Sequence, residues 1–329
     1  NSLIPAILSG NGVLLKLSSK TPTIANIFSD IFHKADIPQD LIVPFHCDHD
    51  TISETIKDKR IGNVTFTGSV PGGYQIQNSC RDRLINTTLE LGGKDAAYVH
   101  YDCDLKMSAE SLVDGALYNA GQSCCAIERV YVHERIYDDF IEISKNVIES
   151  YVLNDPFNKD TTMGPMAQEN SLKFLSNQVS DATNKGAKII AGSGQSMKDS
   201  NNKGRFFSPT MVIDCNHDMS IMKDESFGPL FCIQKVSNET EALTLINDSE
   251  YGLTSSVYTK DVQLCEQLSS KIESGTVYMN ACDYLDPLLP WNGIKNTGNG
   301  FSLSRYCYNN FTRMKSCNFK LPPGHRTYI

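Results

Sequence analysis

Leu89-Glu90-Leu91-Gly92-Gly93-Lys94 closes an apolar run and sets a carboxylate at the end of a strand, beside two glycines that let other groups approach the backbone. Further on, Gly121-Gln122-Ser123-Cys124-Cys125 sets a thiol on a glycine-turned loop. The interval between Glu90 and Cys124 leaves room for one strand and one helix. A nucleophilic sulfur and a carboxylate able to activate water are the groups needed to form a thioester and hydrolyse it.

Working outward, short apolar strands alternate with helical patterns up to about residue 92. Strands are expected at Val13–Leu17, Leu41–Phe45, Asn63–Thr67 and Leu84–Leu91, and helices at Thr23–Ala35, Thr51–Lys59 and Gly72–Arg81. Pro22 and Pro71 suit first-turn positions. Such alternation predicts a parallel sheet covered by helices, which binds nucleotides at its carboxyl edge. A second βα region follows. Its strands are expected at Ala96–Val99, Val130–His133, Lys188–Ala191, Met211–Asp214, Leu230–Val236, Ser255–Tyr258 and Thr276–Asn280. Its helices are expected at Asp104–Leu117, Tyr137–Tyr151, Glu239–Asn247 and Val262–Ile272. Gly192–Arg205 reads as a polar surface loop, and Asn310–Ser316 alternates with period two, as an edge strand would.

Composition narrows the class. With 329 residues the chain can bury a large core and divide into more than one domain. The net charge of −8, without a basic run, argues against a nucleic-acid surface. No apolar stretch reaches the about 20 residues needed to span a bilayer. Eleven cysteines at scattered spacings do not read as a disulfide framework, so reduced thiols in the cytosol or an organelle matrix are expected. Asn1–Gly10 lacks an initiator methionine and reads as the end of a helix, the expected start of a fragment. Phe45-His46-Cys47-Asp48-His49-Asp50 gathers potential metal ligands, but its spacing fits no standard zinc pattern, and a surface loop without metal is expected.

Taken together, Leu89–Ala96 and Leu117–Glu128 resemble the glutamate and cysteine signatures of the NAD(P)-dependent aldehyde dehydrogenase superfamily. The resemblance runs from residue 1 nearly to the end, with the motifs in family order. It implies an α/β fold: an incomplete Rossmann-like cofactor domain (1–92), an α/β catalytic domain (93–307) and a C-terminal oligomerisation strand and tail (308–329). By resemblance Cys124 is the nucleophile, Cys125 its packing neighbour, and Glu90 the base that activates water.

Further motifs carry the cofactor side, NAD or NADP. Phe66-Thr67-Gly68-Ser69, with Gly73 one turn later, resembles the family's cofactor loop, where a helix start stabilises pyrophosphate. Lys16 ends the first strand, where the family's lysine meets the adenosine ribose or its 2′-phosphate. Ser19 stands where NAD-preferring members carry a glutamate, and Lys20 adds positive charge nearby, so acceptance of NADP is expected. Glu225-Ser226-Phe227-Gly228-Pro229 resembles the Glu-x-Phe-Gly-Pro motif, whose glutamate binds the nicotinamide ribose and whose phenylalanine packs beside the ring. Pro290-Trp291-Asn292-Gly293-Ile294-Lys295 resembles Pro-Phe-Gly-Gly-x-Lys, which makes Trp291, with Cys282, Tyr284 and Tyr118, a candidate for lining the aldehyde tunnel. Trp291 could equally be plain core.

The asparagine that completes the family's oxyanion hole would precede Asn1. The resemblance implies an aldehyde oxidised to a carboxylic acid, in a homodimer or homotetramer. Two rival readings remain: a coenzyme A-acylating dehydrogenase, which would not need Glu90, and a non-catalytic family member serving as a binding or scaffold protein.

Overall fold

The computed structural model describes residues 1–198 and 203–320. Its largest sheet has seven strands in the order Thr276–Met279, Thr254–Tyr258, Asp95–Val99, Ile127–His133, Leu230–Val236, Thr210–Ile213, Lys188–Ala191. All neighbours run parallel except the last pair. The central strands are buried along their whole length, as expected of a parallel sheet covered on both faces. Helix Leu105–Leu117 lies on this sheet, its start capped by Asp104 Oδ1 accepting from Met107 N–H at 3.1 Å. Its side chains Ala109, Leu112, Val113, Ala116 and Leu117 join one core with Phe140, Leu175, Phe231 and Ile233.

Before residue 92 the parallel order exists in two separate ladders rather than one sheet. Val13–Leu15 pairs with Ile42–Pro44, and Asn63–Thr67 with Asn86–Glu90. Gly298–Asn299 adds an antiparallel strand against Leu89 and Glu90, a pairing no local pattern announces. Helix Thr23–Lys34 buries only Ala25 and leaves Ile24, Ile27, Phe28 and Ile31 exposed.

Three departures from expectation have physical causes. Helix Glu169–Asn184 occupies a polar stretch in which the sequence pattern announces no element. Its polar composition hides a stripe of Leu172, Leu175, Val179 and Ala182, spaced to share one face. Within Gly192–Arg205, Ser196–Met197 forms a short strand that pairs with Phe206–Phe207, and the loop's residues 199–202 lie outside the described residues. Asn310–Ser316 is not a strand. Asn310 closes a 3-10 helix, Arg305–Asn310, and 311–320 form no ladder. The carbonyls of Asn310 and Phe311 accept from the side-chain amides of Asn63 (3.0 Å) and Asn11 (3.1 Å) instead. Alternation reports two faces, whereas a strand also needs a neighbour to pair with.

Candidate active site

The carboxyl side begins with the strand that carries Glu90. Its backbone is held on both flanks: Gly68 N–H donates to Glu90 O at 3.1 Å, and Leu91 N–H to Thr297 O at 2.8 Å. Thr297 Oγ1 donates to Gly92 O at 2.9 Å. The Glu90 side chain is partly buried, and burial pushes its carboxyl above the ordinary range while the Ser302 hydroxyl opposes that shift. Its Oε1 is buried without a hydrogen-bond partner among the described residues.

The thiol loop is built from consecutive left-handed residues, Asn119 (φ 52°), Ala120 (φ 56°) and Gly121 (φ 68°). Such backbone costs energy outside glycine, and here reciprocal bonds between Asn119 and Gln122 support it, both at 3.0 Å. A Cβ on Gly121 would lie 2.2 Å from Gly228 O, so no side chain fits. A Cβ on Gly93 would lie 2.2 Å from Cys124 O, which shows how tightly the segment after Glu90 presses on the thiol loop. Cys124 is partly buried and Cys125 buried. The hydrogen bond between the two sulfurs lowers the Cys124 thiol below its usual value and drives Cys125 far up. Burial and the charges of Glu225 and Glu90 work against ionisation of Cys124. Cys125 Sγ also lies 2.8 Å from Asp283 Oδ1, which competes with Cys124 for its single proton.

Glu225 reaches the site from a loop before the strand Leu230–Val236. Its Oε1 accepts from Gly93 N–H at 3.0 Å, and a Cβ on Gly92 would lie 2.3 Å from Oε2. Burial first, then the charge of Glu128, push its carboxyl up to about 7. Phe227 sits at φ 50° and is exposed. This loop is held by a buried carboxylate: Glu128 accepts Ser226 N–H at 2.8 Å and Phe227 N–H at 2.9 Å. Lys94 Nζ pairs with Glu128 and donates to Ser226 Oγ at 3.0 Å. Sequence reasoning assigned no role to Lys94 or Glu128, although both fall inside the two quoted signatures. The available signal was Glu128 beside Arg129, two adjacent charged residues within the strand Ile127–His133.

On the cofactor side, Ser69 caps helix Val70–Cys80, its Oγ accepting Gly72 N–H at 3.3 Å. No acidic residue stands in that first turn, so the exposed N-terminus suits an anion. Gly73 is buried, and a Cβ there would lie 2.5 Å from Leu91 Cδ1. The helix start thus presses directly on the strand end beyond Glu90. Together with the side-chain-free surface at Gly92 below the Glu225 carboxyl, this cradle fits a dinucleotide. Lys16 is partly buried and Ser19 exposed, both just beyond the separate Val13–Leu15 ladder. Lys16 Nζ donates to Leu17 O at 3.4 Å.

Residues 1–317 match the aldehyde dehydrogenase family. The chain belongs to that family. It is 34% identical to an aldehyde dehydrogenase of Paenarthrobacter nicotinovorans, over 95% of this chain and 67% of that protein. It is 32% identical to the mitochondrial aldehyde dehydrogenase of Mesocricetus auratus, over 97% of this chain and 63% of that protein. The chain thus spans about two thirds of the length of these relatives. A crystal structure of succinic semialdehyde dehydrogenase from Streptococcus pyogenes in complex with NADP+ superposes with a TM-score of 0.90, at 32% identity, covering 94% of this chain and 67% of that one.

The remaining candidates of this aldehyde dehydrogenase family chain lie at different depths. Trp291 is buried and packs with Cys125, Leu253 and the partly buried Cys124, so it backs the thiol loop instead of lining open space. Cys282 sits against helix Leu105–Leu117, its Sγ donating to Ser111 O at 3.4 Å. A Cβ on Gly115 would lie 2.4 Å from that sulfur. Tyr118 is exposed and lines a depression of about 460 Å³ with Asp114, Asn119 and Tyr151. Tyr284 is exposed. In the histidine-rich loop, His46 Nε2 meets Asn26 Oδ1 at 2.9 Å, and Asp48 Oδ1 accepts Thr51 N–H at 2.8 Å to cap helix His49–Lys57. No helix among the described residues is long and apolar enough to cross a membrane.

Proposed function

We propose that this chain carries the cysteine and the base of an enzyme that oxidises an aldehyde to a carboxylic acid with NAD or NADP. One observation carries the reading: the segment directly after Glu90 meets both other groups, a Cβ on Gly93 lying 2.2 Å from Cys124 O and Gly93 N–H donating to Glu225 Oε1 at 3.0 Å. The nucleophile, a carboxyl base and the cofactor-side carboxyl therefore share one site.

The chain's own residues then divide the work. The Cys124 thiolate attacks the aldehyde carbonyl carbon, and the Cys124 backbone N–H contributes to holding the oxygen that becomes negative. A bound nicotinamide supplies the hydride acceptor that turns the thiohemiacetal into a thioester. Glu225 would accept hydrogen bonds from ribose hydroxyls, Phe227 would pack beside the ring, and the Gly68–Ser69 helix start with Gly73 would hold pyrophosphate. Lys16 meets the adenosine ribose. Ser19 lacks the carboxylate that would repel a 2′-phosphate, which supports use of NADP. Glu90, raised by burial, takes a proton from water as the oxygen attacks the thioester carbon, and the C–S bond breaks with its electron pair returning to sulfur.

The presence of Glu90 argues against a coenzyme A-acylating reading, because that chemistry does not need a hydrolytic base. We further propose a homodimeric or homotetrameric enzyme working among reduced thiols, in cytosol or an organelle matrix; all eleven cysteines are free. The test is aldehyde-dependent reduction of NAD(P), followed by intact-mass analysis. Cys124→Ala abolishes turnover, while Glu90→Gln accumulates an acyl adduct on Cys124. A Cys124→Ala protein that still oxidises aldehyde refutes the assignment.

A further inference from the structure

The segment 291–302 wraps the base at close range. Gly298 pairs opposite Glu90, and a Cβ on it would lie 1.9 Å from Leu89 O. A Cβ on Gly300 would lie 3.0 Å from Thr88 Cγ2. Two glycines thus let this segment lie on the strand that ends in Glu90. Ser302 is then fixed by a reciprocal backbone pair with Trp291, N–H to O at 2.8 Å in each direction. Trp291 in turn packs against both cysteines of the thiol loop. The result is a serine only 3% exposed, locked to the back of the nucleophile and facing the base.

Two polar atoms there are unspent. Glu90 Oε1 and Ser302 Oγ are both buried, and neither has a hydrogen bond of full geometry among the described residues. A buried acceptor and a buried hydroxyl left this way are costly unless a small polar ligand joins them, and water is the ligand of that size and chemistry.

We propose that Ser302 is the positioning residue of Glu90, its hydroxyl and the free Oε1 together holding the water that hydrolyses the thioester. Ser302 keeps its proton throughout and donates it as a hydrogen bond. The water gives one proton to the Glu90 carboxylate while its oxygen bonds to the thioester carbon, and Glu90 later releases that proton to solvent. The inference rests on the functional reading above for the identity of the reaction, but not for the contact itself. Among the described residues, the ionisable group that faces Glu90 from the thiol loop is Cys124.

The test follows the Glu90 carboxyl directly, by infrared titration of protein carrying isotope-labelled glutamate, with Glu90→Gln assigning the band. Ser302→Ala should raise the Glu90 midpoint by about one pH unit, and Ser302→Thr, which keeps the hydroxyl, should restore it. Thioester hydrolysis should slow about tenfold in Ser302→Ala, while alkylation of Cys124 by iodoacetamide proceeds at the wild-type rate. An unchanged Glu90 midpoint in Ser302→Ala overturns the proposal, as does a threonine variant that behaves like alanine. A shifted midpoint in a protein that oxidises no aldehyde would sustain the Ser302 contact and defeat the functional reading instead.

Discussion

Lys94→Met tests whether one buried ion pair organises the site. Lys94 is 1% exposed and Glu128 4%, so the substitution removes a cation from a place where water cannot replace it. Glu128 keeps the N–H groups of Ser226 and Phe227 but loses the cation it pairs with. Breaking one side of such a pair costs about 3–5 kcal/mol, because the desolvated charge left behind is uncompensated. Against a total stability of about 5–15 kcal/mol, that is a large share. With a urea slope of about 3 kcal/mol/M, the unfolding midpoint should fall by roughly 1–2 M at neutral pH. Lys94→Met combined with Glu128→Gln should recover much of the loss, since the amide oxygen can still accept from the loop and carries no charge. The assay is urea unfolding of the four proteins in a double-mutant cycle. A single-mutant loss below about 1 kcal/mol, or a double mutant no better than Lys94→Met, refutes the reasoning.

Glu225 gives a pH signature. Its folded carboxyl titrates at about 7 against an ordinary 4.5, so its contribution to stability is complete below about 4.5 and is lost as pH rises to about 7. That loss amounts to about 3 kcal/mol, and Glu225→Gln should flatten it in urea unfolding across this window; parallel curves would contradict the assignment. Dinucleotide affinity measured by calorimetry should strengthen through the same interval and do so only when Glu225 is present. Gly93→Ala sets a Cβ 2.2 Å from the Cys124 carbonyl, where backbone must move, so iodoacetamide labelling of Cys124 should slow by an order of magnitude or more. An unaltered labelling rate would show that the two segments are not in register. Ser19→Glu should shift cofactor preference from NADP toward NAD through repulsion of the 2′-phosphate; an unchanged ratio of kcat/KM values would remove Ser19 from the site.

Local chemistry made much of the fold legible. Lys188–Ala191, Leu230–Val236, Glu239–Asn247 and Asn63–Thr67 have in the structure the bounds read from their apolar periodicity. What failed was whatever depends on a neighbour. Asn310–Ser316 has the alternation of a strand, but two asparagine side chains take its first carbonyls. Helix Glu169–Asn184 shows one narrow apolar stripe in a polar stretch, too sparse to stand out before the sheet that receives it is known.

For the site, the sequence by itself determined where a carboxylate ends a strand and where a thiol sits on a glycine turn, because both depend on residue type and local backbone. Only the tertiary structure decided what surrounds them. Lys94 meeting Glu128, Gly93 against the Cys124 carbonyl and Ser302 facing Glu90 join positions far apart in the chain. Burial and approach distance set their ionisation and orientation, and these exist only once strands and loops have packed.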